Sequence, residues 1–223
     1  MGISGGPDII NDSSLVLALD ASDRNSYVSG STTWFDVSGN NNSGSLTNGP
    51  TFSSAEGGSI VFDGTNDYAT TNYTGQLLDF TACVWFKSTS PTKPYERLVD
   101  KSYQNGFWIG RNSSNPNSWG GGVRESASPY GRYITLNDNQ WHLIVSIRSG
   151  TTHTIYGDGI TNSVSGTVSG TALDSTAFYI GVENPLFNTY LRGNIASVQI
   201  YNRALSASEI LQNYNALKSR FNL

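Results

Sequence analysis

The chain has 223 residues, a formal net charge of −4 and only 13% charged residues, so it offers no basic patch for nucleic acid or an anionic membrane. No run approaches the ~20 apolar residues of a membrane-spanning helix. Hydrophobic content is 37%, but five Trp, twelve Tyr and nine Phe supply large buried areas.

In chain order, residues 1–14, "MGISGGPDIINDSS", read as a short arm leading to the first strand. They lack the basic start and apolar h-region of a signal peptide. Gly6 also stands where a myristoylation signal needs Ser or Thr. "LVLALDA" then alternates, with Leu15, Leu17 and Leu19 on one face. The next segment, "WFDVSGNNNSGSLTNGP", spaces Asp36, Ser38, Asn40 and Asn42 like the oxygens of a calcium loop. Counted from Asp36, however, the sixth residue is Asn41 and the twelfth Thr47, where an EF-hand needs Gly and a bidentate Glu. Asx capping and positive φ at Gly explain the stretch as an ordered turn. No cofactor is expected; calcium is the one metal the spacing brings to mind, and it is not predicted.

"SIVFDG" presents Ile60 and Phe62 on one face, and the "DGTND" that follows places Asp63 and Asp67 as turn caps. In "TACVWFK", Cys83 and Trp85 oppose Ala82, Val84 and Phe86, and Cys83 reads as a small buried hydrophobe. "WHLIVSIRSG" puts Trp141, Leu143, Val145 and Ile147 inward and His142, Ser146 and Arg148 outward. A turn at Ser149-Gly150 leads into "THTIYGDG", and "AFYIGV" and "NIASVQIYN" supply two more strands. Short strands separated by turn clusters indicate a β-sandwich. The period changes only in "LSASEILQNYNALKSRF", a helix with Ile210, Leu211, Tyr214 and Leu217 as its stripe and a capping box from Ser206 and Glu209. No linker or repeat divides the chain, so residues 15–223 form one domain.

"GGSIVFDGTNDYA", "TACVWFK", "NQWHLIVSIRSGTTHTIYGDG" and "GNIASVQIYNRALSASEI", in that order, resemble the laminin-G-like branch of the concanavalin A-like lectin/glucanase fold. The likeness runs from about Leu15 to about Tyr214, and "YNRALSASEI" is its most specific part. It implies an all-β jelly-roll sandwich of two curved antiparallel sheets, with the strand at Ile195 to Tyr201 near the N-terminal strand and one short C-terminal α-helix. Ala196 stands where many relatives carry an acidic residue, which weakens any metal site the resemblance implies.

Glucanases of this fold carry carboxylates in a Glu-x-Asp-x-x-Glu pattern, and retaining hydrolysis needs two carboxyl groups about 5 Å apart. Glu56, Glu96, Glu125, Glu183 and Glu209 are scattered and none begins that pattern, so an enzyme is not expected. His142 and His153 have no accompanying nucleophile and form no triad. One Cys and two isolated His form no zinc site.

Carbohydrate binding needs flat aromatic faces beside polar side chains. The segment 102–133 offers Tyr103, Trp108, Arg111, Asn112, Trp119, Tyr130 and Tyr133, and Tyr95 lies in the loop "TKPYER". Trp108 is assigned to the core. Trp119 is the principal ligand-binding candidate, because Gly120, Gly121 and Gly122 are expected to leave its face open, with Tyr130, Tyr95, Tyr133 and Arg111 in support.

"LVLALDASDRNSYVSGSTTWFDVSGNNNSGSLTNGPTFSS" is similar to structural (decoration or fibre) proteins of tailed phages, marine ones especially. That resemblance implies a non-enzymatic module on the virion surface, with capsid or tail proteins as partners and carbohydrate as a weak ligand. Its short arm favours attachment through a folded face or a homo-oligomer. A bacterial lectin-like adhesion domain and a glycoside hydrolase are the alternatives.

Overall fold

The computed structural model of the protein describes residues 8–89, 93–102, 106–112, 115, 117–123, 130–136, 139–168 and 175–223. The strands begin with β1 (Leu15–Asp20), β2 (Thr33–Trp34), β3 (Gly44–Thr47), β4 (Thr51–Ser53), β5 (Ser59–Asp63) and β6 (Tyr68–Thr71). There follow β7 (Phe80–Ser88), β8 (Arg97–Lys101), β9 (Phe107–Arg111), β10 (Ser118–Val123) and β11 (Tyr130–Thr135). The last are β12 (His142–Ser149), β13 (Thr152–Gly157), β14 (Asn162–Thr167), β15 (Tyr179–Ile180) and β16 (Arg192–Tyr201), before helix α1 (Ala207–Leu217).

The back sheet runs β14-β13-β12-β7-β16-β5-β4 with β1 also on β16, and the front sheet runs β11-β10-β9-β8-β15-β6-β3-β2. All pairings among the described residues are antiparallel. This is the expected all-β jelly-roll sandwich with a short C-terminal helix, and the N-terminal strand lies beside β16 as the resemblance implied.

Two apolar clusters result from period-two alternation. Ala82, Val84 and Phe86 of β7 face the sandwich interior with Ile60, Phe62, Val99, Ile109 and Ile180. Cys83 and Trp85 face the other way, into a second cluster under α1 with Trp141, Leu143, Val145, Ile147, Tyr201 and Ile210. Burial pushes the Cys83 thiol up to about 12.

The helix layer corrects the orientation expected for β12. Trp141, Leu143, Val145 and Ile147 lie on the helix side, while His142, Ser146 and Arg148, expected outward, are buried with Ile144 toward the sandwich. Both faces of this strand are covered, so its polar residues are enclosed too. Leu15 also departs from its face, because a register shift between Leu15 and Leu17 turns it toward the helix while Leu17 and Leu19 enter the sandwich.

Helix α1 starts at the expected capping box, in which Ser206 Oγ accepts from Glu209 N and Glu209 Oε2 accepts from Ser206 N at 2.7 Å. Ile210 is fully buried and Tyr214 stacks on Trp85. Phe221, just past the helix, lies 4.5 Å from the rings of both Trp85 and Trp141. Leu211 is 38% exposed, and Asn213 takes the buried place instead. Asn213 accepts from Ile10 N and donates to Tyr201 Oη, which itself donates to Ile10 O, so the end of the arm is tied to the helix.

The loop after Trp34 is organised by Asp36. Its Oδ1 accepts from Ala18 N and Ser38 N, and its Oδ2 from Asn42 N and the Ser38 hydroxyl. Asn40 and Asn42 donate to the Leu15 and Val16 carbonyls, so the oxygen-rich spacing secures the loop to β1.

Removing the chain from Ser206 onward should expose Trp85 and Trp141. With each large buried apolar side chain contributing about 1.5–3 kcal/mol, the loss should be several kcal/mol; urea denaturation against the full chain measures it. A second expectation concerns His153, which is enclosed between Ser146 Oγ at 2.9 Å and Arg132 Nη1 at 3.3 Å. Burial, together with the Arg132 and Arg148 charges, lowers its pKa from 6.5 to about 3. The unfolded chain therefore binds a proton from pH 6.5 downward and the native chain only near 3. Stability is full above pH 6.5 and falls as pH drops toward 3, by up to about 1.4 kcal/mol per pH unit from this group. In His153→Gln the decline between pH 6.5 and 4, followed by denaturant titration, should be shallower by about that slope.

Candidate functional site

The outer face of the front sheet carries a candidate site. In β9, Phe107, Ile109 and Arg111 point into the sandwich and Trp108 points out, by strict alternation. Trp108 pairs with Gly122 of β10, which pairs in turn with Gly131 of β11. A Cβ on Gly122 would lie 3.0 Å from Trp108 Nε1, Cε2 and Cζ2, and one on Gly131 would lie 2.5 Å from the Tyr133 hydroxyl. The two glycines thus let both rings lie down against the sheet, with centroids 6.0 Å apart.

Arg97 covers the Trp108 ring, its guanidinium carbon 4.4 Å from the centroid. Its Nη1 donates to Tyr95 O at 3.1 Å and its Nη2 to Glu183 Oε2 at 3.2 Å, while its Nε faces Asp100 Oδ2 at 3.5 Å. Asp100 is fully buried, and burial holds its carboxyl well above the usual carboxylate range although Arg97 opposes the shift. These groups line a groove of about 440 Å³ formed by Tyr95, Arg97, Trp108, Tyr133, Glu183, Phe187 and Thr189. Tyr95 and Phe187 are 52% and 54% exposed, so their rings are open to solvent. Thr189 Oγ1 accepts from Glu183 N and fixes the backbone under the carboxylate.

Of the sequence-predicted site residues, Tyr95 and Tyr133 meet in this groove. Tyr130 opens β11, and its side chain lies outside the described residues, as do Tyr103 and Glu125. Trp119 and Arg111 are corrections. Trp119 is 1% exposed in the sandwich core, 4.6 Å from Phe86. Its neighbouring glycines accommodate close backbone approach and the outer rings; they leave no open indole face. Arg111 is fully buried above Trp119 and pairs through Nε with Glu96 Oε2 at 2.7 Å. Glu96 Oε1 also accepts from Arg192 N at 2.8 Å, so this pair joins the two sheets. Trp108, assigned to the core from sequence, is buried but belongs to the groove. Phe187, Arg97, Glu183 and Thr189 were missed. The apolar pair in "NPLFN", outside any alternating run, was the available signal for Phe187.

Asp63 Oδ1 accepts from Thr65 N and Asn66 N, and Asp67 Oδ2 from Asp63 N, as expected of turn caps. Among the described residues no group of three or more His, Cys, Asp or Glu could hold a metal. Ala196 is fully buried in the helix-side cluster, at the irregularity in β16.

The chain belongs to the concanavalin A-like lectin/glucanases superfamily, whose laminin-G-like model matches residues 63–211. No curated protein matches it in sequence. Among solved structures it is similar to the binding domain of Paraclostridial Mosquitocidal Protein 1, with a TM-score of 0.71 and 16% identity over 91% of this chain and 52% of that one. It is similar to Trypanosoma rangeli sialidase, with a TM-score of 0.65 and 17% identity over 90% of this chain and 32% of that one. It is also similar to domain 4 of AbnA, a GH43 extracellular arabinanase from Geobacillus stearothermophilus, in complex with arabinotriose, with a TM-score of 0.65 and 14% identity over 90% of this chain and 98% of that one. The chain thus spans about half of the mosquitocidal protein's binding domain and a smaller part of the sialidase. At these identities the likeness is one of fold.

The core and groove environments give opposite expectations for ring removal. Trp119→Ala should cost the roughly 3–5 kcal/mol typical of a buried aromatic. Tyr95→Ala should stay within about 0.5 kcal/mol of the parent. Denaturant unfolding of the two variants distinguishes core from groove.

Proposed function

We propose that this chain is a non-enzymatic carbohydrate-binding module displayed on a virion surface, where it serves as a structural or decoration protein. The observation that carries the binding role is the groove over the front sheet. It combines two exposed aromatic faces, Tyr95 and Phe187, with the half-buried Tyr133 and a carboxylate, Glu183, at its polar end. A sugar ring offers apolar C–H faces to such rings and hydroxyls to such an acceptor. The arabinotriose complex of the arabinanase domain, which this chain spans almost end to end, supports the reading that this architecture suits an oligosaccharide.

The arrangement of the carboxylates supports binding over hydrolysis. A glycosidase needs two carboxyl groups flanking the scissile bond. Here Arg97 contacts both Asp100 and Glu183, and Asp100 is enclosed where a glycosidic oxygen has no access. The virion setting rests on the resemblance of residues 15–54 to phage structural proteins. Several copies on one particle would make weak individual contacts effective through high local concentration.

Titration calorimetry against neutral oligosaccharides should detect binding without reducing-sugar release. Tyr95→Ala and Phe187→Ala should each weaken it about tenfold, or ~1.4 kcal/mol, with unchanged melting. Mass spectrometry of purified virions should find the protein as a stoichiometric component. Its absence there, with presence in a bacterial secreted fraction, would favour a bacterial adhesin.

A further inference from the structure

The charge arrangement in the groove constrains which sugars it can take. We infer that the groove selects glycans without acid groups, neutral sugars or amino sugars, and discriminates against uronic and sialic acids. This inference rests on the carbohydrate-binding reading above.

Recognition of a sugar carboxylate in a partly desolvated groove ordinarily requires an arginine fork or ammonium with donors directed at the ligand. Arg97 is the one cation among the described groove-lining residues, and each of its three guanidinium nitrogens already faces an oxygen of the protein. Nη1 is on the Tyr95 carbonyl, Nη2 is on Glu183, and Nε faces Asp100. Its guanidinium face lies on Trp108. Turning the fork toward a ligand would strip Glu183 and the Tyr95 carbonyl of their donor and uncover the indole.

The balance of charge agrees with the directions of the donors. With Asp100 protonated, Arg97 and Glu183 form a neutral pair; with Asp100 ionised, the site carries one excess negative charge. In neither state do the described lining residues hold a surplus cation. Glu183 keeps 11% of its side chain exposed and faces the groove as an acceptor, which suits hydroxyl or ammonium donors and repels a carboxylate. The adjoining cavity shares Phe187 and contains Lys93, but the ammonium of Lys93 donates to Gly64 O at 2.6 Å and lies over the Tyr190 ring.

The test uses the full chain and oligosaccharide pairs matched in ring and linkage. Examples are oligogalacturonate against its methyl ester and cello-oligosaccharide against its glucuronate counterpart, with glucosamine oligomers as the cationic class. Neutral or amino members should bind at least tenfold more tightly than their acid partners, and the gap should narrow as salt rises and screens the repulsion. Glu183→Gln should narrow the gap at least threefold at low salt; the salt series on the unaltered chain keeps the test decisive if that variant unfolds. An acid member that binds as tightly as its neutral partner, or a gap indifferent to salt, overturns the charge selection while leaving glycan binding intact. Failure of the unaltered chain to bind any member overturns both readings.

Discussion

The whole architecture depends on β7 being buried on both faces. Its Ala82, Val84 and Phe86 help form the sandwich interior, while Cys83 and Trp85 are covered by the C-terminal helix. Antiparallel sheets commonly leave one face to solvent. Here the second face is too apolar for that, so α1 and the residues after it become part of the domain. The same constraint recruits the arm, through the bonds among Ile10, Tyr201 and Asn213. With the back sheet closed by the helix, the front sheet is left to carry the exposed site.

Within the sandwich, the Glu96–Arg111 pair determines how that site is built. Removing both ions from water is costly, and burial raises Glu96 above the ordinary carboxylate range. The pair is retained with every observed contact directed: Arg111 lies against Trp119 and reaches Ser88, while Glu96 holds the Arg192 backbone. Arg97 follows Glu96 and emerges on the opposite face to meet Trp108 and Glu183. Two ion pairs therefore lie back to back across one sheet. The inner one fixes the strand position, and the outer one inherits its placement.

Much of this was legible in the sequence because period two is a local signal. It gave the faces of Ala82 to Phe86 in β7, the Ile60 and Phe62 side of β5 and the helix with its cap. Layer assignment was not legible, because alternation tells which residues share a face and not what covers it. Hence Trp141, Leu143, Val145 and Ile147 were correctly grouped but expected to fill the sandwich, and the alternate set with His142 and Arg148 was expected in solvent. The β1 irregularity defeated the period at Leu15, since a one-residue shift turns a side chain to the other face. Tyr95 and Tyr133 were found as site candidates on composition alone. Trp119 was misread because a glycine run looks the same whether it exposes its own tryptophan or floors a ring from the next strand.

The backbone at Tyr95 explains how a loop residue can hold a fixed place at the mouth of the groove. Its φ is +61°, an unusual conformation for a bulky side chain. The Arg97 guanidinium, bound to its carbonyl, helps to hold it there. Glu96, the next residue, is anchored inside the sandwich by Arg111. The chain must turn from the loop into this buried ion pair within one residue, and the left-handed conformation is part of that turn, with the tyrosine ring left outside at the groove mouth. Backbone order imposed by the core is thus available before a ligand arrives, which lowers the ordering cost that weakens binding by loops. A groove built this way owes its shape to the buried pair beneath it as much as to the rings that line it.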